Sequence, residues 1–328
     1  MMTLMHFFRK RFIASLTLSV LFLFLSCIGV GVVGIQPALA QKALAAASTS
    51  SPVLFVHGFN SNASIPGGCN GSSTWGSAKS YLSSHGYMGQ LITIGFYNGD
   101  TGCDVNLKDR QDSHCNNYFA GNTGTTNEDQ SHIACNLAWY IWNNFTQKGQ
   151  NVQIVAHSMG GTIVRWAIYA VGTGNSSLPP YLSVAKIVTM ASPHNGIPWG
   201  ASAVCGVCLQ LAELQQIGSS FLGTLQNNAQ NPQARGGTHW TIMGSTCETW
   251  TNGGVDPSSE MGMSAQSKVL YLSPPCYHHG DYLTDQSDTN NAQVDFCNNA
   301  CSGEPTSSTG SSTTFPHSLH EMSIALES

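Results

Sequence analysis

The chain has 328 residues, of which only 9 % are charged, compared with about 25 % in an ordinary soluble domain. Its 12 basic and 17 acidic residues give a net charge of −5, and Lys and Arg cluster only in the first dozen residues, which disfavours a nucleic-acid-binding protein. The 41 % hydrophobic content excludes a disordered chain and is sufficient for a core.

The first 40 residues have the pattern of a secretory signal peptide. Basic residues 9–11 precede a long apolar run, which ends at the small-x-small sequence of residues 38–40. The run is longer than the ~7–15 residues of a usual signal core and is about long enough to span a bilayer. We expect cleavage after Ala40 and a secreted protein; the alternative is a protein anchored in a membrane by an uncleaved N-terminal segment.

The cysteine count agrees with an exported chain. Without Cys27, which lies in the leader, an even number remains: Cys69, Cys103, Cys115, Cys135, Cys205, Cys208, Cys247, Cys276, Cys297 and Cys301. An even count predicts disulfides but leaves their pairing open. Cys205 and Cys208 are spaced like a redox dithiol, and with Cys297 and Cys301 they are spaced like a weak zinc motif. A structural bridge is favoured, because no thioredoxin-like strand precedes Cys205, and we expect no metal.

The mature chain begins with a small polar tether, residues 41–51, and then alternates between predicted strands and helices. The strands are predicted at 52–56, 91–96, 152–156, 185–190, 240–243 and 268–272, and the helices at 75–86, 133–145, 161–171 and 318–326. This alternation predicts an α/β fold with a mainly parallel sheet and helices on both faces. Residues 52–328 are expected to form one domain.

Two polar stretches interrupt this pattern. Residues 98–130 are rich in Gly and Asn and hold two cysteines, so a disulfide-stapled surface loop is predicted there. For the acidic residues of this loop a solvated surface is favoured over calcium binding; they are Asp100, Asp104, Asp109 and Asp112. Residues 306–314 are rich in Ser, Thr and Gly and predict a second loop.

Ser158 lies in the sequence Ala-His-Ser-Met-Gly-Gly of residues 156–161, between a predicted strand and a predicted helix. A nucleophile elbow needs this placement, because a tight turn lifts the serine clear of the sheet and small neighbours relieve the crowding. The alternative is a strand–helix turn with an N-capping serine. We predict that Ser158 is a catalytic nucleophile.

A second turn, His57-Gly58, ends the first predicted strand. Such a turn can place the backbone N–H of Phe59 beside the elbow, where it would form an oxyanion hole with the N–H of Met159. His57 precedes the serine, whereas a nucleophile elbow is followed in the chain by the acid and then the histidine. Holding the turn by hydrogen bonds is therefore favoured for His57 over a role as the base.

The same chain order limits the choice of acid and base. The acidic residues between the elbow and the late histidines are Glu213, Glu248, Asp256 and Glu260. We favour Asp256, which lies in a loop after the strand at 240–243, and keep Glu248 as the alternative. After the next strand, His278 and His279 lie in one loop, and one of them is expected to take the proton from Ser158.

Together, residues 52–60, 156–161, 191–196 and the loop around His279 resemble the α/β-hydrolase superfamily. Within it they are similar to small secreted bacterial lipases of the class 2 lipase/esterase group, over roughly residues 52–285. The resemblance implies an α/β-hydrolase fold and ester hydrolysis without a cofactor.

In those lipases the catalytic histidine is followed three and four positions later by an apolar pair. Tyr282 and Leu283 stand in that relation to His279, whereas His278 would give Asp281 and Tyr282. The resemblance therefore selects His279 as the base, beside Ser158 and Asp256.

Residues 196–236 carry apolar side chains at helical spacing. They predict either an extra core helix or a lid over the site that contacts lipid, and both stay open. We expect a monomeric lipase or esterase acting on an ester or lipid substrate. The alternatives are a polyester depolymerase or a phospholipase with the same catalytic residues, a non-catalytic extracellular binding protein, and a disulfide oxidoreductase using Cys205 and Cys208.

Overall fold

The structure is a computed structural model that describes residues 49–200, 205 and 208–328. The predicted leader, residues 1–40, and most of the tether lie outside these residues. Its strands are β1 (Val53–Val56), β2 (Leu91–Gly95), β3 (Val105–Asn106), β4 (Val152–His157), β5 (Val184–Met190), β6 (His239–Ser245), β7 (Ala265–Tyr271), β8 (Asn290–Cys301) and β9 (Ser311–Pro316). Its α-helices are α1 (Trp75–Ser84), α2 (Gln130–Asn144), α3 (Met159–Gly172), α4 (Leu209–Glu213), α5 (Ser220–Asn228), α6 (Pro257–Glu260) and α7 (Ser318–Glu327).

The strands form one sheet in the order β3-β2-β1-β4-β5-β6-β7-β8-β9. Strands β1 to β7 are parallel, and β8 and β9 continue the sheet as antiparallel strands. Val56 at the end of β1 pairs with Ile94 of β2 and Ala156 of β4, so the carboxyl ends of the central strands lie at one edge. This confirms the predicted mainly parallel α/β sheet, and it gathers the loops after β1, β4, β6 and β7 at the same edge.

The sheet is buried on both faces. Along β1 the side chains alternate: Leu54 and Val56 belong to one apolar cluster, and Val53 and Phe55 belong to the other. Helices α2 and α3 supply most helical residues of the first cluster, and α1 and α7 supply those of the second. Continuous apolar runs such as Val-Leu-Phe-Val in β1 are therefore explained by burial on both sides.

Two parts of the sheet differ from the prediction. The polar stretch 98–130 contributes β3 and buries Val105, Leu107 and Cys115 in the core, so it is more than a surface loop. The predicted loop 306–314 runs into β9, which pairs with β8. Strands β8 and β9 are rich in Ser, Thr and Asn and are only partly buried, so they carry no apolar run that would mark them as strands.

All ten cysteines outside the leader are paired. The disulfides are Cys69–Cys103, Cys115–Cys135, Cys205–Cys208, Cys247–Cys276 and Cys297–Cys301. The stretch 98–130 is thus joined to the domain on either side of it and is not closed on itself. Within the described part of the chain, no helix combines the length and apolarity needed to cross a bilayer.

Candidate active site

Ser158 lies in a sharp turn between β4 and α3. Its backbone has a φ of 56°, a left-handed conformation that is rare for residues other than glycine. Its N–H is hydrogen bonded to the carbonyl of Met190 at the end of the neighbouring strand β5, at 3.0 Å. Such a strained, anchored turn is the geometry of a nucleophile elbow, as the sequence pattern predicts.

Two glycines allow the chain to approach this turn closely. A Cβ added to Gly58 would lie 2.4 Å from the Cβ of Ser158 and 2.8 Å from its Oγ. A Cβ on Gly160 would lie 2.5 Å from the carbonyl oxygens of both Val56 and His57. The end of β1 therefore packs directly against the elbow, which is possible only without side chains at these two positions.

Ser158, His279 and Glu248 form one hydrogen-bonded chain. The Oγ of Ser158 lies 2.9 Å from Nε2 of His279, and Nδ1 of the same ring is hydrogen bonded to Oε1 of Glu248. Glu248 is fully buried, and its Oε1 also accepts the Val255 N–H at 3.0 Å. Burial raises the pKa of the Glu248 carboxyl, but the hydrogen bond and the charge of His279 outweigh this effect, so the pKa lies below its usual value.

Asp256, the residue favoured as the acid from the sequence, is placed elsewhere. Its Oδ1 accepts the backbone N–H of Trp250 at 3.2 Å, while the contact with His279 is made by Glu248. The assignment of Asp256 is therefore corrected to Glu248, the alternative. Of the two adjacent histidines, His279 contacts the serine, as predicted, and His278 is exposed.

The end of β6 explains this difference. The strand continues to Ser245, two residues beyond its predicted end, because Gly244 and Ser245 still pair with β7. Glu248 therefore follows the strand after a short turn at the edge where the loops meet. Asp256 lies further on, directly before α6.

A disulfide joins the loops that carry the acid and the histidine. Cys247 directly precedes Glu248, and its partner Cys276 lies three residues before His279. The bridge limits how far the two loops can separate. It therefore helps to keep the carboxylate within reach of the imidazole.

His157 supports the same imidazole from the other side. Its Nε2–H donates to the backbone carbonyl of His279 at 2.5 Å, and the two ring centroids are 4.6 Å apart. Burial and the neighbouring His279 lower the pKa of His157 to about 3. His157 is thus a neutral donor that fixes the backbone of the histidine loop, a role that its place in the elbow sequence does not reveal.

His57 and Asp100 hold the turn that carries Phe59. Nδ1–H of His57 donates to the carbonyl of Gly58 at 2.8 Å, and Nε2 lies 2.9 Å from Oδ2 of Asp100. The Gly58 carbonyl and the Phe59 N–H belong to one peptide group, so this bond fixes the direction of the N–H. Met159 is the first residue of α3, and its N–H has no carbonyl partner within the helix.

Asp100 is a buried anchor, which differs from the solvated carboxylate expected at this position. It also accepts the backbone N–H groups of Phe96 and Tyr97, at 2.9 and 2.8 Å. Burial raises its pKa, but the hydrogen bonds, that of His57 foremost, lower it below the usual value. His57 therefore holds the turn, as favoured from the sequence.

One group of described side chains is close enough together to hold a metal ion, namely His57, Cys69 and Asp100. The sulfur of Cys69 is bonded to Cys103, and the other two side chains are hydrogen bonded to each other. This donor set does not fit a metal, because a disulfide sulfur is a poor ligand compared with a thiolate.

The sequence matches a protein family over residues 49–225, which is more than half of the chain. The family is described as "Putative serine esterase (DUF676)". The chain belongs to this family. The matched residues include the Gly58 turn, the elbow at Ser158 and β1 to β5, and end before Glu248 and His279.

Solved structures of similar fold are lipases, phospholipases and other α/β-hydrolases. The mature lipase BlEst2 of Bacillus licheniformis is 15 % identical, with a TM-score of 0.39, and the match covers 65 % of this chain and 79 % of that one. The phospholipase PlaB of Legionella pneumophila is 16 % identical, with a TM-score of 0.40, and the match covers 68 % of this chain and 47 % of the PlaB chain. The α/β-hydrolase MGS-MChE2, from the metagenome of lagoon sediments at Mar Chica, Morocco, is 13 % identical, with a TM-score of 0.39, and covers 73 % and 86 %. No curated protein matches the sequence.

Proposed function

We propose that this member of the serine esterase family is a secreted lipase or esterase that cleaves carboxylic esters through an acyl-enzyme on Ser158. The observation that carries the proposal is the hydrogen-bonded chain from Ser158 through His279 to the buried Glu248, at an elbow whose φ is 56°. A serine with only a structural role in a turn does not require a histidine hydrogen bonded to its hydroxyl, nor a buried carboxylate hydrogen bonded to that histidine.

In the acylation step, Oγ of Ser158 attacks the carbonyl carbon of the ester while Nε2 of His279 takes the hydroxyl proton. The π electrons of the carbonyl move to its oxygen, which accepts hydrogen bonds from the N–H groups of Phe59 and Met159. Each such donor is typically worth about 3 kcal/mol. Glu248 stabilises the imidazolium, and collapse of the intermediate breaks the ester bond as His279 returns the proton to the leaving alkoxide.

Water then repeats the sequence on the acyl-enzyme. His279 takes a proton from the water, the hydroxyl attacks the acyl carbon, and Ser158 leaves with the proton that His279 returns. The carboxylic acid is released, and no cofactor takes part in either step. A polyester or a phospholipid would react by the same steps, and these remain the alternative substrates.

The segment 196–236 supports a contact with lipid through two exposed side chains. Its apolar helical residues are buried, and Leu211, Leu214 and Leu225 belong to the main core, which is the packing of core helices. In contrast, Trp199 is 74 % exposed and Ile217 is 69 % exposed. An exposed Trp and Ile in one segment that starts at the carboxyl edge of the sheet suit a monomer that adsorbs to a lipid surface.

This contact can be tested by replacing Trp199 and Ile217 with Ser. We expect weaker activity on an emulsified long-chain ester and unchanged kcat on a soluble short-chain ester. Met88→Ser is the matched control, since Met88 is 75 % exposed just before β2, at the opposite edge of the sheet. Equal losses on both substrates would contradict an interfacial role.

Secretion is proposed from the leader pattern of residues 1–40 together with the five disulfides, which persist in oxidising compartments. The binding-protein alternative predicts no turnover. The oxidoreductase alternative predicts that Cys205 and Cys208 reduce or oxidise a dithiol substrate, which a disulfide reduction assay measures.

The proposed activity is tested by Ser158→Ala, with turnover of p-nitrophenyl esters from short to long chains as the assay. We expect kcat to fall ~10⁶-fold while the protein stays folded. Ser311→Ala, at an exposed serine of β9, is the control and keeps full activity. If Ser158→Ala retains a tenth of the wild-type activity, the proposal is contradicted.

A further inference from the structure

Glu248 carries a second oxygen that the proposed triad does not use. Oε1 accepts hydrogen bonds from His279 and Val255, whereas Oε2 is fully buried with no N–H or hydroxyl donor. A bare carboxylate oxygen in a protein interior is costly unless something donates to it. Two groups that can carry a proton face Glu248, the carboxyl of Glu260 and the phenol of Tyr282.

Glu260 has the same arrangement. It is fully buried at the end of α6, and its Oε2 accepts the N–H of Ser245 at 3.0 Å. Its Oε1 is buried without a hydrogen-bond partner, and its carboxyl group faces that of Glu248. Two ionised carboxylates facing each other in the interior would repel each other and have no proton to share, so we expect one of the pair to be protonated.

The surroundings decide which carboxyl holds the proton. Glu248 receives His279 and Val255 in addition, whereas Glu260 receives only one backbone N–H. Charge is therefore better stabilised on Glu248. Burial and the charge of Glu248 raise the pKa of Glu260 well above its usual value.

The other titratable groups around Glu260 favour the same state. Asp256 adds negative charge near Glu260, and the phenol of Tyr282, which faces Glu248, is a neutral group whose pKa burial raises further. Lys268 is hydrogen bonded to the carbonyls of Met261 and Gly303 and to neither carboxyl. No described cation other than His279 is thus paired with the two glutamates.

The backbone leaves room for both carboxyls. A Cβ on Gly244 would lie 2.4 Å from Oε2 of Glu260, and a Cβ on Gly254 would lie 2.4 Å from Cγ of Glu248. The pair is therefore enclosed by main chain on both sides. The two unpartnered oxygens are buried from bulk solvent.

We propose that Glu260 is a positioning residue that stays protonated and donates its O–H to Oε2 of Glu248, so that only Glu248 carries the negative charge behind His279. This inference rests on the proposed function of the Ser158 site. The bond fixes the Glu248 carboxylate in the plane that meets His279, and the neutral state of Glu260 keeps a second negative charge away from the imidazole. The chain of contacts thus has four members, from Ser158 to Glu260.

Glu260→Gln tests the protonation state, because a neutral amide donates to Glu248 and accepts from Ser245 as the protonated acid does. We expect kcat within about threefold of wild type and an unmoved acid limb in the pH profile of kcat/KM. Glu260→Leu removes the donor and is expected to lower kcat at least tenfold. Glu304→Gln, at an exposed glutamate, is the control.

If Glu260 is ionised in the folded protein, Glu260→Gln removes a negative charge near His279, and the acid limb moves to lower pH. That shift would overturn the proposal. Equal losses in Glu260→Gln and Glu260→Leu would also overturn it, because a conservative donor should rescue the activity.

Infrared spectroscopy gives a readout independent of activity. The wild-type minus Glu260→Gln difference spectrum at neutral pH should contain the C=O stretch of a protonated carboxyl. The difference is needed because burial also raises the pKa of Glu213 to about 9 and of Glu321 to about 7. A missing band contradicts the proposal, whereas the band without any esterase activity contradicts the proposed function alone.

Discussion

Replacing Glu248 by Gln removes the negative charge behind His279 and keeps nearly every contact. The amide oxygen can still accept His279 Nδ1–H and the Val255 N–H at 3.0 Å, and the side-chain volume is unchanged. What is lost is the charge that stabilises the imidazolium in the transition state. For a carboxylate in this role the loss in kcat is ~10⁴-fold, which corresponds to about 5.5 kcal/mol.

The assay is the hydrolysis of a soluble p-nitrophenyl ester, with kcat and KM measured separately and thermal unfolding as the check on folding. Asp256→Asn is the matched control, since that side chain accepts only a backbone N–H at 3.2 Å, and we expect its kcat to stay within about threefold. If Asp256→Asn loses ~10⁴-fold and Glu248→Gln stays near wild type, the assignment of the acid is wrong.

Three further results are expected. Gly58→Ala should lower kcat by ~10²-fold or more, because the added Cβ would lie 2.4 Å from the Cβ of Ser158. Gly223→Ala in α5 is the control, since a Cβ there meets nothing within 4 Å, and it should stabilise the fold by about 0.5–1 kcal/mol in urea unfolding. Denatured, unreduced protein should show no thiol reactive with Ellman's reagent, or one if Cys27 is retained, and two or more free thiols would contradict full pairing. Burial raises the pKa of Glu213 from 4.5 to about 9, so the folded protein binds more protons than the unfolded chain in that interval and stability falls as pH rises. Glu213→Gln should flatten this fall, and an unchanged slope in urea unfolding between about pH 5 and 8 would contradict it.

The sequence predicted the central sheet and the elbow well, because both have local patterns. The strands β1 and β4 are short apolar runs, and the elbow combines Ser158 with small residues between a strand and a helix. Patterns of this kind involve only neighbouring residues, so they can be recognised without knowing which distant residues come into contact.

The remaining parts depend on contacts between distant residues. The antiparallel strands β8 and β9 carry little apolar signal because many of their residues are exposed, and the hydrogen bonds that pair them involve only the backbone. The choice between Glu248 and Asp256 as the acid depends on where β6 ends, at Ser245, and on the Cys247–Cys276 bridge. The sequence pattern gives neither of these. The pairing of the Glu260 carboxyl with Glu248 has no signal in the sequence, because the two residues meet only in the folded chain.

Covalent labelling of Ser158 by an organophosphate such as a phosphonofluoridate, followed by mass spectrometry of the intact chain and of its peptides, tests directly whether Ser158 is the nucleophile. We predict one adduct per chain, on the peptide that holds Ser158, forming in step with the loss of esterase activity and much more slowly in Glu248→Gln. Labelling of another residue, or an unlabelled Ser158 in an enzyme that still turns over esters, would contradict the assignment of Ser158 as the nucleophile.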